Sequence, residues 1–304
     1  MLVSGGSTVV VVGSINQDTS YEVAALPKPG ETVPVSGTAT GLGGKGANQA
    51  IAVARAGVAV ALVGSVGDDA PGAFLRSRLA ELGVGTEYLS TSTTHVSGQA
   101  LVVVDETGEN MILLLPGANG SVGPDDVESA AETISAASVV ILQGELPAEA
   151  SNAAIAVAAA TNVRIVINLA PVIRLASLAH ADPLVVNHVE ASELLGRSID
   201  GLTSALQAAK QLLKIAKSCV ITLGADGAVF ATDLESAHIP APDTFPVVDT
   251  TGAGDAFVGV LAAALASSPN LRHAVAAAVT AASCSVKFRG AAESYPNFRM
   301  DLQT

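Results

Sequence analysis

Two carboxylates separated only by small residues, Asp249-Thr250-Thr251-Gly252-Ala253-Gly254-Asp255, stand directly before an apolar, alanine-rich run over 256–265. That run reads as a buried helix starting near Gly254. A helix start carries about half a positive charge and free N–H donors, and so attracts anions, phosphate above all. The backbone of Gly252, Ala253 and Gly254 could face a transferring phosphoryl group. Asp255 would repel a phosphate, but it is suited to take a proton from a hydroxyl that attacks phosphorus. The same residues also make an ordinary glycine turn with Asp255 as a helix cap.

A second glycine-rich stretch, Gly41-Leu42-Gly43-Gly44-Lys45-Gly46-Ala47-Asn48-Gln49-Ala50, leads into another apolar helix over 50–56. Glycines admit a ligand to the backbone, and Lys45 and Asn48 add hydrogen-bonding groups. The stretch lacks the spacing of a Walker A loop. Taken alone it is also a common flexible turn.

Weaker signals lie elsewhere. Asn16 and Asp18 follow a β-branched run and alternate by two, so on an extended segment they point the same way and could hold neighbouring hydroxyls; an Asx turn explains them equally. Glu145 follows the end of another apolar strand, where a sugar or metal-water contact competes with a plain solvated loop carboxylate. Asn187 and Glu190, three apart, share a face on a first helical turn, a good capping arrangement. Thr222-Leu223-Gly224-Ala225-Asp226-Gly227 is a strand followed by a glycine turn that a phosphate or adenine could approach. The five histidines show no metal-site spacing and read as structural.

The two glycine stretches, in this order and spacing, resemble the paired signatures of the ribokinase-like (phosphofructokinase-B-type) sugar kinases, the first in particular those of the ribokinase branch, and similarity runs over nearly the whole chain. The resemblance implies an ATP-dependent kinase that phosphorylates D-ribose at the 5-hydroxyl, with a kinase for 2-deoxyribose or another sugar as the alternative. A non-catalytic sugar or nucleotide sensor on the same fold is the reading of a different class. It implies Asp255 as general base, with Gly252, Ala253 and Gly254 as anion hole. Asn16, Asp18, Gly44, Lys45, Asn48 and Glu145 would hold the sugar. Asn187, Glu190, Thr222, Leu223, Gly224, Gly227 and Gly254 would serve ATP and its Mg²⁺. An activating K⁺ would sit among Asp249, Thr251, Ser285, Phe288, Gly290 and Ser294; mostly neutral oxygen ligands suit a hard, low-charge cation. Leu169 stands where members of the family often carry Pro, a departure that bears on one loop. The family often dimerises through its lid, so a homodimer is expected.

The elements that must position these residues form a βαβ rhythm. Strands are expected at 9–12, 59–63, 139–142, 164–168, 184–187 and 219–223, with helices between them, including one over 72–82. This implies an α/β fold with a mostly parallel sheet covered by helices on both faces. Ligands of such sheets bind beyond the carboxyl ends of strands, where Asn16, Glu145 and Asn187 lie. The stretch 21–41, with Pro27, Pro29 and Pro34, is poor helix and reads as edge strand, and 97–115 reads as a hairpin. In the resembling family these form a small β lid. The expectation is thus one domain over 1–304, with lid inserts at about 16–43 and 97–116.

Composition narrows the function. At 304 residues the chain can bury a large core. Mean hydropathy is +0.49, but no apolar run reaches the ~18 residues needed to cross a membrane. No basic n-region or cleavage site is visible over 1–13, so no leader is expected. Cys219 and Cys284 are isolated, which suits buried thiols in a cytoplasmic protein. A net charge of −13 with only 15 Lys and Arg, and 3% aromatics, argues against nucleic-acid partners. The expected partners are D-ribose and MgATP.

Overall fold

The computed structural model describes residues 8–242 and 246–298. Residues 1–7, on which part of the leader reading rests, lie outside them.

In chain order the first elements are β1 (Thr8–Val12), β2 (Asn16–Val23), β3 (Gly37–Gly43), α1 (Lys45–Arg55), β4 (Ala59–Gly67), α2 (Ala70–Glu81), β5 (Leu89–Ser92), β6 (Gly98–Asp105) and β7 (Asn110–Leu115). Next come α3 (Pro124–Ser129), α4 (Ala131–Ala136), β8 (Val139–Gln143), α5 (Ala148–Ala160), β9 (Arg164–Asn168), β10 (Ala181–Asn187), α6 (His188–Leu195) and α7 (Gly201–Leu212). The chain closes with β11 (Cys219–Thr222), β12 (Ala228–Ala231), β13 (Ser236–Ile239), α8 (Ala253–Ser267) and α9 (Leu271–Ser285).

Nine strands form the main sheet in the order β13-β12-β11-β10-β9-β8-β1-β4-β5. From β11 to β5 every pairing is parallel. The run Val9-Val10-Val11-Val12 shows why the sheet is covered on both faces. Val9 and Val11 join a core with α1, α2, α8 and α9, whereas Val10 and Val12 join a second core with α3, α4, α5, α6 and α7. A strand buried on both faces reads as a continuous β-branched run. The departure from the parallel expectation is at one edge, where β12 and β13 return antiparallel. Leu169, the departure from the family pattern, is fully buried in the second core.

A separate four-stranded sheet has the order β3-β2-β6-β7. β6 and β7 form the expected hairpin. The parallel pairing of β2 with β6 joins segments about eighty residues apart in the chain, which no local pattern announces. β1 ends at Val12 and β2 begins at Asn16, so Gly13-Ser14-Ile15 carries the chain from one sheet directly into the other. The site described next lies at this junction.

Helix α8 is buried along its length from Asp255 to Leu265, as expected of a helix apolar all round. It packs on α1 and α9 within the first core.

Candidate active site

Asp255 lies in the first turn of α8 and is 7% exposed. Gly252 caps this helix with φ 75°, a left-handed conformation that favours glycine. A Cβ on Gly252 would lie 2.6 Å from the Tyr295 hydroxyl, which donates to the Gly252 carbonyl at 2.5 Å. Burial, and then the charge of Asp255, pushes the Tyr295 phenol well above its usual range, so it stays a donor. One expected anion-hole donor is otherwise engaged: the Ala253 N–H donates to the Thr250 carbonyl at 3.2 Å, closing the turn. That leaves the N–H groups of Gly252 and Gly254 as the unengaged pair of the trio among the described residues. A Cβ on Gly254 would meet nothing within 4 Å, so open space lies above the helix start.

The two glycine stretches meet here. Asn48 donates its amide to Asp255 Oδ2 at 3.0 Å, and Gln49, which the sequence reading passed over, donates to Asp255 Oδ1 at 2.9 Å. The Asn48 amide oxygen is buried without a partner among the described residues, an acceptor left for a ligand hydroxyl. Lys45 lines the same cleft as Asp255, Asn168, Asn187, Glu190, Thr222, Gly252 and Gly254. Asp255, with Glu145 and Glu190 behind it, outweighs burial and holds the Lys45 ammonium above its ordinary value.

Gly44 caps α1 with φ 88°, and a Cβ there would lie 2.9 Å from both Asn16 N and the Ser14 carbonyl. Glu145, expected to contact the sugar, is engaged by the protein itself. Its Oε2 accepts from the Ser14 hydroxyl at 2.5 Å and the Lys45 N–H at 3.1 Å, placing a carboxylate at the start of α1, where the helix dipole favours it. Asn16 Oδ1 accepts from Asn119 at 2.8 Å, which leaves its NH₂ for a ligand. Asp18 packs over Gly43, where any Cβ would clash with its carboxylate. Asp18 Oδ1 is buried and has no partner among the described residues. Burial, then the charges of Glu145 and Asp255, pushes the Asp18 carboxyl up to about 7.

On the other side of Asp255, Asn187 caps α6: its Oδ1 accepts from the N–H groups of Val189 and Glu190, while Glu190 Oε2 accepts from Asn187 N at 2.7 Å. One Glu190 oxygen remains toward the cleft. Burial raises Glu190 above its ordinary value against the opposing pull of the Asn187 N–H and Lys45. Thr222 ends β11. Leu223 N donates to the Gly227 carbonyl at 2.8 Å, and the intervening turn needs Gly224 at φ 60° and Gly227 at φ 84°. An adjoining cavity is lined by His188, Ile199, Gly201, Leu202, Leu223, Asp226 and His238. His238 Nε2 donates to the Asp226 carbonyl at 2.6 Å. Two histidines that read as merely structural thus border this cavity; His238 arrives on β13, a strand with no clear sequence signal.

Asp249 and the 285–294 loop also come together. Asp249 Oδ1 accepts from the Thr251 N–H at 2.9 Å and hydroxyl at 2.6 Å, and Oδ2 from Gly290 N at 2.9 Å. Burial works against ionisation of Asp249, but these donors, with Arg289 nearby, outweigh it and hold the carboxyl below its usual value. Ser294 donates to the Gly290 carbonyl at 3.1 Å, and Phe288 N to the Ser285 carbonyl at 3.2 Å. Each carbonyl keeps a second lone pair, so one carboxylate, a hydroxyl and several carbonyls form a donor set that fits a low-charge cation. Nearby, Glu293 accepts from Leu42 N at 3.0 Å and pairs with Arg78 at 2.6 Å, tying β3 to this loop and to α2.

The chain belongs to the pfkB family of carbohydrate kinases, whose model matches residues 7–297. It is 37% identical to the ribokinase of Mus musculus over 311 residues, covering 97% of this chain and 94% of that one. It is 33% identical to the deoxyribokinase of Salmonella typhi over 295 residues, covering 95% of each. Among solved structures, Arabidopsis thaliana ribokinase complexed with ribose and ATP aligns with a TM-score of 0.90 at 29% identity, covering 97% of both chains. The α/β architecture with a small second sheet is therefore that of the sugar kinases which the two glycine stretches resemble.

Proposed function

We propose that this protein transfers the γ-phosphoryl group of ATP to the 5-hydroxyl of D-ribose, giving D-ribose 5-phosphate and ADP. The observation that carries this reading is the place of Asp255. It stands at the open N-terminus of α8, held by the Asn48 amide, and lines with Lys45 a cleft that continues past Asn187, Glu190 and Thr222. Ribokinase relatives extend over almost the whole chain.

Asp255 takes the proton of the attacking hydroxyl as the phosphorus–oxygen bond forms. The N–H groups of Gly252 and Gly254 face the charge that develops on the transferring group, and Lys45 adds a fixed positive charge. Asn16, Asp18, Gly44, Asn48 and Glu145 orient the sugar. Leu223, Gly224 and Gly227 shape the turn that receives the nucleotide, and the cavity bordered by His188 and His238 lies beside it. Glu190 and Asn187 would hold Mg²⁺, which would supply charge neutralisation at the phosphates. Asp249, Thr251, Ser285, Phe288, Gly290 and Ser294 would hold K⁺, which would support the turn before α8.

The protein acts in the cytoplasm, a compartment its two free cysteines suit. It forms a homodimer through the small sheet, whose edge strand β7 exposes Ile112 at 58% and Leu113 at 59%. A long, flat, apolar edge is a ready pairing surface.

The test is ADP release over ribose, 2-deoxyribose, hexoses and nucleosides. Ribose should give the highest kcat/KM. The Asp255→Asn variant should lose at least about a hundredfold in kcat, the scale of general-base loss, while still binding ribose and ATP. Higher kcat/KM with 2-deoxyribose would transfer the assignment to that sugar. Binding without turnover on any sugar would favour a sensor.

A further inference from the structure

We propose that Gln49 is a positioning residue for phosphoryl transfer, its side-chain amide, aligned by Gln143, holding the Asp255 carboxylate ready to accept the sugar proton. This rests on the reading of Asp255 as base.

Gln49 is fully buried in α1, and both of its N–H bonds are spent. One goes to Asp255 Oδ1 at 2.9 Å and the other to Asn168 Oδ1 at 3.0 Å. Its oxygen accepts from Gln143 Nε2 at 2.8 Å, and Asn168 in turn donates to the Val185 carbonyl at 3.3 Å. The orientation is set by these neighbours: a turned amide would place its oxygen against two acceptor oxygens. A relay of amides thus runs from the end of β8 through α1 to the first turn of α8, with a branch to β9 and β10.

The relay has a chemical direction. An amide NH₂ donates and cannot accept, so with Asn48 on Oδ2 and Gln49 on Oδ1 both carboxylate oxygens face donors. The two donors therefore fix the plane of the carboxylate from both sides. The other charged or titratable groups around Asp255 are Lys45 on α1, Asp18 on β2 and Tyr295 after α9, with Glu145 and Glu190 acting on Lys45. None of them supplies a donor to Oδ1. Gln143 Oε1 is buried with no partner among the described residues, an orphan acceptor that calls for an explanation beyond packing.

The experiment compares Gln49→Met, which conserves volume, with Gln49→Glu and the wild type, using kcat and KM across pH with ribose and MgATP. For Gln49→Met, kcat should fall about tenfold or more while both KM values change less than about threefold, because the lost bond acts on the reacting group. The acid limb of the kcat profile should move upward, because the variant no longer donates to the carboxylate. In Gln49→Glu two carboxyls share one proton, so activity at neutral pH should fall further and recover at higher pH. Gln143→Met, which touches Gln49 but not Asp255, should move the limb less and in the same direction; it serves if the Gln49 variants do not fold. An unmoved limb in every folded variant overturns the proposal. Near-wild-type turnover in Asp255→Asn would instead overturn the base assignment beneath it. An inactive Asp255→Asn with unchanged Gln49 profiles would sink this inference alone.

Discussion

Gly259 rests against Ala52: a Cβ on Gly259 would lie 2.5 Å from the Ala52 Cβ and 2.6 Å from the Gln49 carbonyl oxygen. Gly259 is one helical turn beyond Asp255, and Ala52 one turn beyond Asn48. This close approach of α8 and α1 brings the two amides within reach of the carboxylate. Gly259→Val should therefore cost about 1–3 kcal/mol by overpacking. Through a displacement of the donors it should lower kcat by roughly a hundredfold. Urea midpoints and initial rates check both; a wild-type midpoint with wild-type kcat would show that the helices yield without consequence.

Asp18 links stability to pH. Its folded-state value of about 7 lies above the ordinary 3.8, so between these values the folded chain holds a proton that the unfolded chain has released. Stability from this group is therefore full at low pH and falls as pH rises toward 7. Asp18→Asn, always neutral, should raise the melting temperature of the sugar-free protein more at pH 8 than at pH 4.5. It should weaken ribose binding by about 1.5–3 kcal/mol, a tenfold to hundredfold rise in Kd. Equal shifts at the two pH values would show that the carboxyl is ordinary in the fold.

Asp249 should govern a response to monovalent cations. With tetramethylammonium replaced stepwise by K⁺ at constant ionic strength, turnover at saturating MgATP and ribose should rise. Na⁺ and Li⁺ should do less, because carbonyls fixed by the loop cannot close on them. Asp249→Ala should flatten the response with the fold intact by circular dichroism. A flat wild-type response would remove the cation and leave the kinase reading standing.

Charging the exposed edge should separate the copies. Ile112 and Leu114 alternate by two on β7 and share a face, each more than half exposed. The double variant Ile112→Lys, Leu114→Lys should halve the mass measured by light scattering at micromolar concentration. A monomeric wild type would refute the dimer.

The main sheet was legible because its cause is local: strands buried on two faces must be apolar and rich in β-branched residues, and 9–12, 139–142 and 165–167 are. The β12–β13 edge was not, since Ala228–Ala231 and Ser236–Ile239 are short and plain. Within the site, Asp255, Lys45 and Asn48 stood out by their place beside glycines. Gln49 and Gln143 did not, because nothing in either neighbourhood tells a buried glutamine from a surface one. Their meaning comes from partners 206 and 94 residues away. Tyr295 and Glu293 escaped for the same reason, as each acts on a backbone group distant in sequence.

That separation governs how the molecule comes into being. Asn48 and Asp255 are 207 residues apart, Ser14 and Glu145 131, and Leu42 and Glu293 251. Loops of this length must close before any such contact forms, and high contact order slows folding. The N-terminal strands and α1 cannot assemble a pocket while α8 is still unmade. Substrate binding therefore belongs to the last-formed state of the chain. During refolding, helical signal should return well before the capacity to bind ribose, and a bound ligand stabilises the whole fold against unfolding rather than one part of it.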